Sequence, residues 1–211
     1  MAHFKNEIFR NGLVTGLILQ LAIGPVFFFI ANLTLQGTIL NGIAGVLAVT
    51  IVDYFYITLA IFGVGKLLEN KKVKKIFGIV SSIILAVFGL IIIKGIAGGV
   101  SSATSTMPMT LISSFVSVFL LTISSPMTIV FFTSLFTAKA LEYNYQKKEL
   151  LIFGLGTGFA TFLFMGISVI LFSLVRGSVP ILLIQILNLI VGCLLVGYGG
   201  VRLIKILRNK S

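Results

Sequence analysis

The chain has 211 residues, of which 58% are apolar and only 10% charged, with 16 Lys and Arg against 5 Asp and Glu. A soluble domain of this size still leaves roughly 30% of its unfolded surface in water, and this composition offers too little polar material to cover it; a lipid-facing surface removes the difficulty. The net charge of +11 does not indicate nucleic-acid binding, because the basic residues cluster at the ends of apolar runs, where positive charge sets membrane orientation and meets anionic lipid.

A spanning helix needs roughly 20 apolar residues, and six such runs follow one another. The segment Met1 to Arg10, with His3, Lys5 and Arg10, resembles the start of a signal peptide, but the run after it is too long and lacks a clean cleavage pattern, so it is expected to be retained. The first run, about 11–34, has Gly24-Pro25 near its middle, followed by Val26-Phe27-Phe28-Phe29. The second, about 39–64, opens with Gly42 and Gly45 and carries Asp53 near its centre. The third, about 76–98, has Lys94 toward its outer end. The fourth, about 111–137, has Ser125-Pro126 where the first has Gly24-Pro25, followed by Ile129-Val130-Phe131-Phe132. The fifth, about 150–174, opens with Gly154, Gly156 and Gly158. The last, about 180–204, contains Gln185, Asn188 and Cys193. A lone cysteine forms neither an internal disulfide nor a redox pair, and Cys193 is expected to be a small core residue.

Assigning the connectors alternately to two sides places 14 of the 16 cations on the side of both termini and only Arg176 on the other, with Lys94 inside a run. By the positive-inside rule both termini are cytoplasmic. The matched Gly-Pro and Ser-Pro steps suggest a duplication. Two units of three helices must lie in the membrane in opposite orientations, as in many secondary transporters whose interrupted helices meet at a midplane site. The expected fold is therefore all-α: one transmembrane domain over 1–211, six transmembrane helices in two inverted three-helix repeats, about 9–98 and 111–204, with the first and fourth helices broken at proline.

Pro25 and Pro126 each remove a backbone hydrogen bond and clash with the preceding turn. A tolerated kink is the bland explanation for one such proline; two at matched places, each after a small residue, favour functional breaks whose exposed helix ends can hold a carboxylate or an ammonium group. Asp53 is the sharpest single residue, being the only acidic one within any run. A carboxylate at that depth costs several kcal/mol unless protonated, hydrated or paired. It is a candidate proton carrier or partner for a cationic substrate group, and otherwise a structural partner of Lys94, which could equally snorkel to the interface. Gln20, Asn32, Ser125 and Thr128 are the further candidates near the prolines, although hydroxyls in membrane helices usually bond the preceding turn or a neighbour. The pair Gly12 and Gly16, and the pair Gly95 and Gly99, are expected to let helices approach closely. The sequence has no nucleotide-binding loop, no His or Cys cluster for a metal and no catalytic set, so no cofactor and no enzymatic activity are expected, and any transport would run on an ion gradient or the membrane potential.

Gly24-Pro25, then Gly37, Gly42, Gly45, Asp53 and Gly63, resembles the signature of the lysine exporter (LysE/RhtB) family of amino-acid exporters. Phe88 to Gly95 resembles the end of that family's third helix, Ser125-Pro126-Met127 sits where it commonly has Asn-Pro-Lys, and Gly197-Tyr198-Gly199-Gly200-Val201-Arg202 resembles its closing segment. The likeness covers nearly the whole chain, with departures at Ile23, Val52, Ser125 and Met127. It implies six helices in a bacterial-type cytoplasmic membrane and export of amino acids or similar solutes, with proton or potential coupling. The expected partners are a small-molecule substrate, membrane lipid and, as an open option, a second copy of the chain. Efflux of a metal or other ion, and a non-transport membrane scaffold, stand as the alternatives.

Overall fold

The computed structural model describes residues 2–21, 24–63, 71–97 and 110–208. In chain order these form α1 (Ala2–Gln20), α2 (Pro25–Gln36), α3 (Ile39–Ile61), α4 (Lys71–Ala97), α5 (Leu111–Ile123), α6 (Pro126–Tyr143), α7 (Lys147–Val175), a 3-10 turn (Arg176–Ser178) and α8 (Ile181–Arg208), with no strand among the described residues. Lys66, Gly99, Ile23 and the segment around Ser102, singled out by the sequence, lie outside the described residues.

Local chemistry explains where helices stop and start. Pro25 and Pro126 occupy the first positions of α2 and α6, where a missing N–H costs nothing and the fixed φ suits a helix start. The pairs they divide are sharply bent, by 81° between α1 and α2 and by 62° between α5 and α6. Thr38 and Asn41 cap α3 reciprocally, as Thr110 and Ser113 cap α5, which satisfies N–H groups left without partners in a helix's first turn. Asn144 ends α6 with a left-handed φ of 56°, a conformation that asparagine tolerates better than most residues.

Among the described residues three segments are long and apolar enough to cross a membrane, Ile39–Ile61, Lys147–Ser178 and Gln185–Ile206, and the number rises to five if each bent pair is one span. The apolar part of α4, Gly78–Lys94, is shorter than a full span. Large apolar side chains cover the outer surface, among them Ile51, Phe55, Leu90 and Leu174, all about half exposed or more. Such a surface suits hydrocarbon and not water.

The tightest helix pairs are α1 with α7 and α4 with α8. Glycines let their backbones touch. A Cβ on Gly16 would lie 2.6 Å from the Ala160 Cβ and 2.8 Å from the Thr157 carbonyl oxygen; one on Gly12 would strike the Phe153 carbonyl, and one on Gly156 the Phe9 carbonyl. Gly89 against Gly192, and Gly199 against Ser82, do the same between α4 and α8. The buried face of α8 is thus Asn188, Val191, Gly192, Leu195 and Gly199. Cys193, expected in the core, is exposed instead: one residue past Gly192 is a rotation of about 100°, which turns it from the α4 contact to the outer surface.

Among the described residues the interior holds two apolar clusters. One joins Phe29, Ile30, Val46, Val118, Val169 and Leu195; the other joins Ile8, Val52, Tyr56, Phe132, Phe136 and Phe153. Polar side chains lie in the seam between them.

Candidate functional site

The seam contains a cavity of about 440 Å3. Its wall draws on both halves of the chain: Gln20, Gly24 and Pro25 from the α1–α2 break, Asp53 from α3, Ser125 and Thr128 from the α5–α6 break, and Thr157, Thr161 and Met165 from α7. Val49 and Met165 belong to the first apolar cluster and Phe132 to the second, so the cavity sits where core packing is interrupted.

Asp53 is 6% exposed and, among the described residues, is the only ionisable side chain in the wall. Thr161 donates its hydroxyl to Asp53 Oδ2 at 2.8 Å and accepts from Gln20 Nε2 at 2.7 Å. A chain of two hydrogen bonds thus runs from the last residue of α1, through α7, to the carboxylate on α3. A single turn from Asp53, Tyr56 donates its hydroxyl to the Ile123 carbonyl at 2.6 Å, satisfying one of the carbonyls that the end of α5 leaves free.

The two helix starts at the cavity have no side-chain cap. The Phe27 N–H turns back onto the Gly24 carbonyl and the Thr128 N–H onto the Ser125 carbonyl, each at 3.1 Å, and the Thr128 hydroxyl donates to Ser125 Oγ at 3.0 Å. Each helix N-terminus carries roughly half a positive charge from its aligned peptide dipoles. The cavity therefore presents one carboxylate and two positive helix ends, a combination that suits a small solute bearing both signs of charge.

Of the residues expected from the sequence, Gln20, Gly24, Pro25, Asp53, Ser125 and Thr128 all reach this cavity. Pro126 opens α6 beside it. Asn32 does not reach it: its amide joins Asn188 and Gln36 in a buried cluster between α2 and α8. Lys94 is exposed in the last turn of α4, and no ion pair joins it to Asp53, whose bond goes to Thr161. Sequence reasoning passed over Thr161, Thr157 and Tyr56. A usable signal existed for the threonines: they stand four apart, Thr157 directly after Gly156, whose face of α7 meets α1. Among the described residues no group of three His, Cys, Asp or Glu side chains could hold a metal.

A family model described as LysE type translocator matches residues 17–205 of the chain. No curated protein and no solved structure matches it.

Proposed function

The chain belongs to the LysE type translocator family, and from that premise we propose that this integral membrane protein is a secondary exporter of amino acids or related small solutes, driven by protons or by the membrane potential. The observation that carries the reading is the meeting of both helix breaks and Asp53 at one cavity. In this reading the uncapped starts of α2 and α6 take the substrate carboxylate, as helix N-termini attract anions, and Asp53 takes either the ammonium group or a proton.

The same reading makes α1–α2, α3 and α4 one unit of three spans and α5–α6, α7 and α8 an oppositely oriented second, with α4 as the shortest span. The bias of cations toward one side supports cytoplasmic termini in a bacterial-type inner membrane. Protonation of Asp53 from outside favours one facing state and substrate the other, and a solute shifts such an equilibrium only by its differential affinity for the two states. A cationic substrate needs no proton, because the potential acts on its charge directly.

Counterflow in proteoliposomes, with a panel of amino acids and of divalent metals, tests the proposal. Exchange of an amino acid is expected; exchange of metals alone, or of nothing, defeats it.

A further inference from the structure

A second cavity, of about 160 Å3, has among its walls Asn11 and Thr15 of α1, Lys139 and Tyr143 of α6, Tyr145, and Phe153 of α7. The three helices also wall the central cavity, further along each. On α1 the next residue, Gly16, belongs to the central wall; on α7 Thr157 is one turn from Phe153; on α6 Phe132 lies seven residues before Lys139, a rise of about 10 Å. The two cavities thus follow one line between α1 and α6. Rings mark that line. Tyr143 stacks on Tyr145 at 5.3 Å, Tyr145 meets Phe153 at 6.4 Å, Phe153 meets Phe136 edge-on at 5.5 Å, and Phe136 meets Phe132 at 6.3 Å between centres. Phe153 lines the outer cavity and Phe132 the central one, with the buried Phe136 between them.

Lys139 lines the outer cavity, and Glu142, which does not line it, is its ion-pair partner. Lys139 Nζ donates to Glu142 Oε2 at 2.9 Å and lies 4.7 Å from the centre of the Tyr143 ring. An anionic lipid headgroup would meet the Glu142 carboxylate beside the lysine. A zwitterion meets the lysine at one end and the tyrosine rings of the wall at the other.

Resting on the export reading above, we propose that this outer cavity is a waiting site for the zwitterionic substrate on the cytoplasmic side, before it passes the Phe136 ring into the central cavity. Lys139 takes the substrate carboxylate by a charge-assisted hydrogen bond. The faces of the tyrosine rings in the wall take its ammonium group, as aromatic faces attract cations. The neighbouring Lys147 and Lys148 put this connector on the side that the charge bias makes cytoplasmic, which is where an exporter must collect its cargo.

The test is binding of a tritiated mixture of L-amino acids to the purified full chain, in wild type, Asp53→Asn, Lys139→Gln, Lys139→Arg and the double variant Asp53→Asn with Lys139→Gln. Asp53→Asn is expected to retain a weaker, salt-sensitive component. Adding Lys139→Gln should weaken that component about tenfold, while Lys139→Arg preserves it. Should Asp53→Asn fail to run as a single species on gel filtration, Thr128→Phe, which fills the central cavity, takes its place. Loss of all binding in the central variant, or residual binding indifferent to Lys139→Gln, overturns the waiting site and leaves the export reading standing. No binding to wild type overturns both.

Discussion

Asp53 is held by one hydroxyl, and that hydroxyl is shared. Thr161 has a single hydrogen, which goes to Asp53 Oδ2, while its lone pairs accept from Gln20. If Asp53 takes up a proton on that oxygen, the same bond must reverse or break, and Thr161 is left to direct its hydrogen elsewhere. Thr161→Val deletes both bonds and leaves a buried carboxylate and an amide unsatisfied, which costs about 1–3 kcal/mol for each group. Thr161→Ser is expected to keep transport close to wild type and Thr161→Val to lose most of it, as read by counterflow; equal activity in both would remove the hydroxyl from the mechanism. Asp53→Asn keeps shape and hydrogen-bonding ability but cannot ionise. It is expected to insert and fold yet lose flux against an imposed pH gradient, and full gradient-driven flux would eliminate the proton-carrier role. Since Lys94 is exposed and the Asp53 carboxylate is bonded by Thr161, adding Lys94→Met to Asp53→Asn should recover nothing.

At the level of helices, glycine decides which pairs close. Gly12 and Gly16 on α1 meet Phe153, Thr157 and Ala160 on α7 with backbone against side chain or backbone, so α1 is held along its length beside the cavity it helps to wall. A valine at Gly16 would push against the Thr157 carbonyl oxygen, 2.8 Å from the first atom it adds. Overpacking of this kind costs about 1–3 kcal/mol, and here it falls on backbone that cannot turn aside. Gly16→Val is expected to lower the Tm in detergent and reduce transport, whereas Gly166→Ala, with nothing within 4 Å of the added atom, should match wild type. Equal Tm values for the two variants would show that the α1–α7 contact is not glycine-dependent. The prolines act at the same scale but in the opposite sense, dividing helices where glycines join them.

For the molecule as a whole, the charge bias and the apolar surface make separate predictions. A reporter fused after Ser211 should give a cytoplasmic signal and one inserted at Ser102 an external one; an external signal at the C-terminus would reverse the assignment. Cys193 lies on the exposed side of α8 within its apolar segment. It should resist a membrane-impermeant maleimide in intact vesicles and react once the protein is unfolded in detergent, and ready labelling in vesicles would place water, not lipid, on that face.

Hydrophobicity and charge are summed along the chain, so apolar runs, their basic ends and the two prolines were legible without coordinates: each acts on its own segment whatever that segment packs against. The family signature was legible for the same reason, since glycines, a proline and one aspartate stand at spacings along a line. What Asp53 bonds to was not legible, because Thr161 is 108 residues away and hydroxyls are common in membrane helices. Asn32 looked equivalent to Gln20 as an amide near a proline, yet rotation about its helix axis sends it to the α2–α8 contact, while Lys94 sits exposed in the last turn of α4. The same rotation moved Cys193 out of the core. Depth in the membrane is a property of position along the chain, whereas the direction in which a side chain points is set by which helix faces meet, and only the tertiary packing decided that.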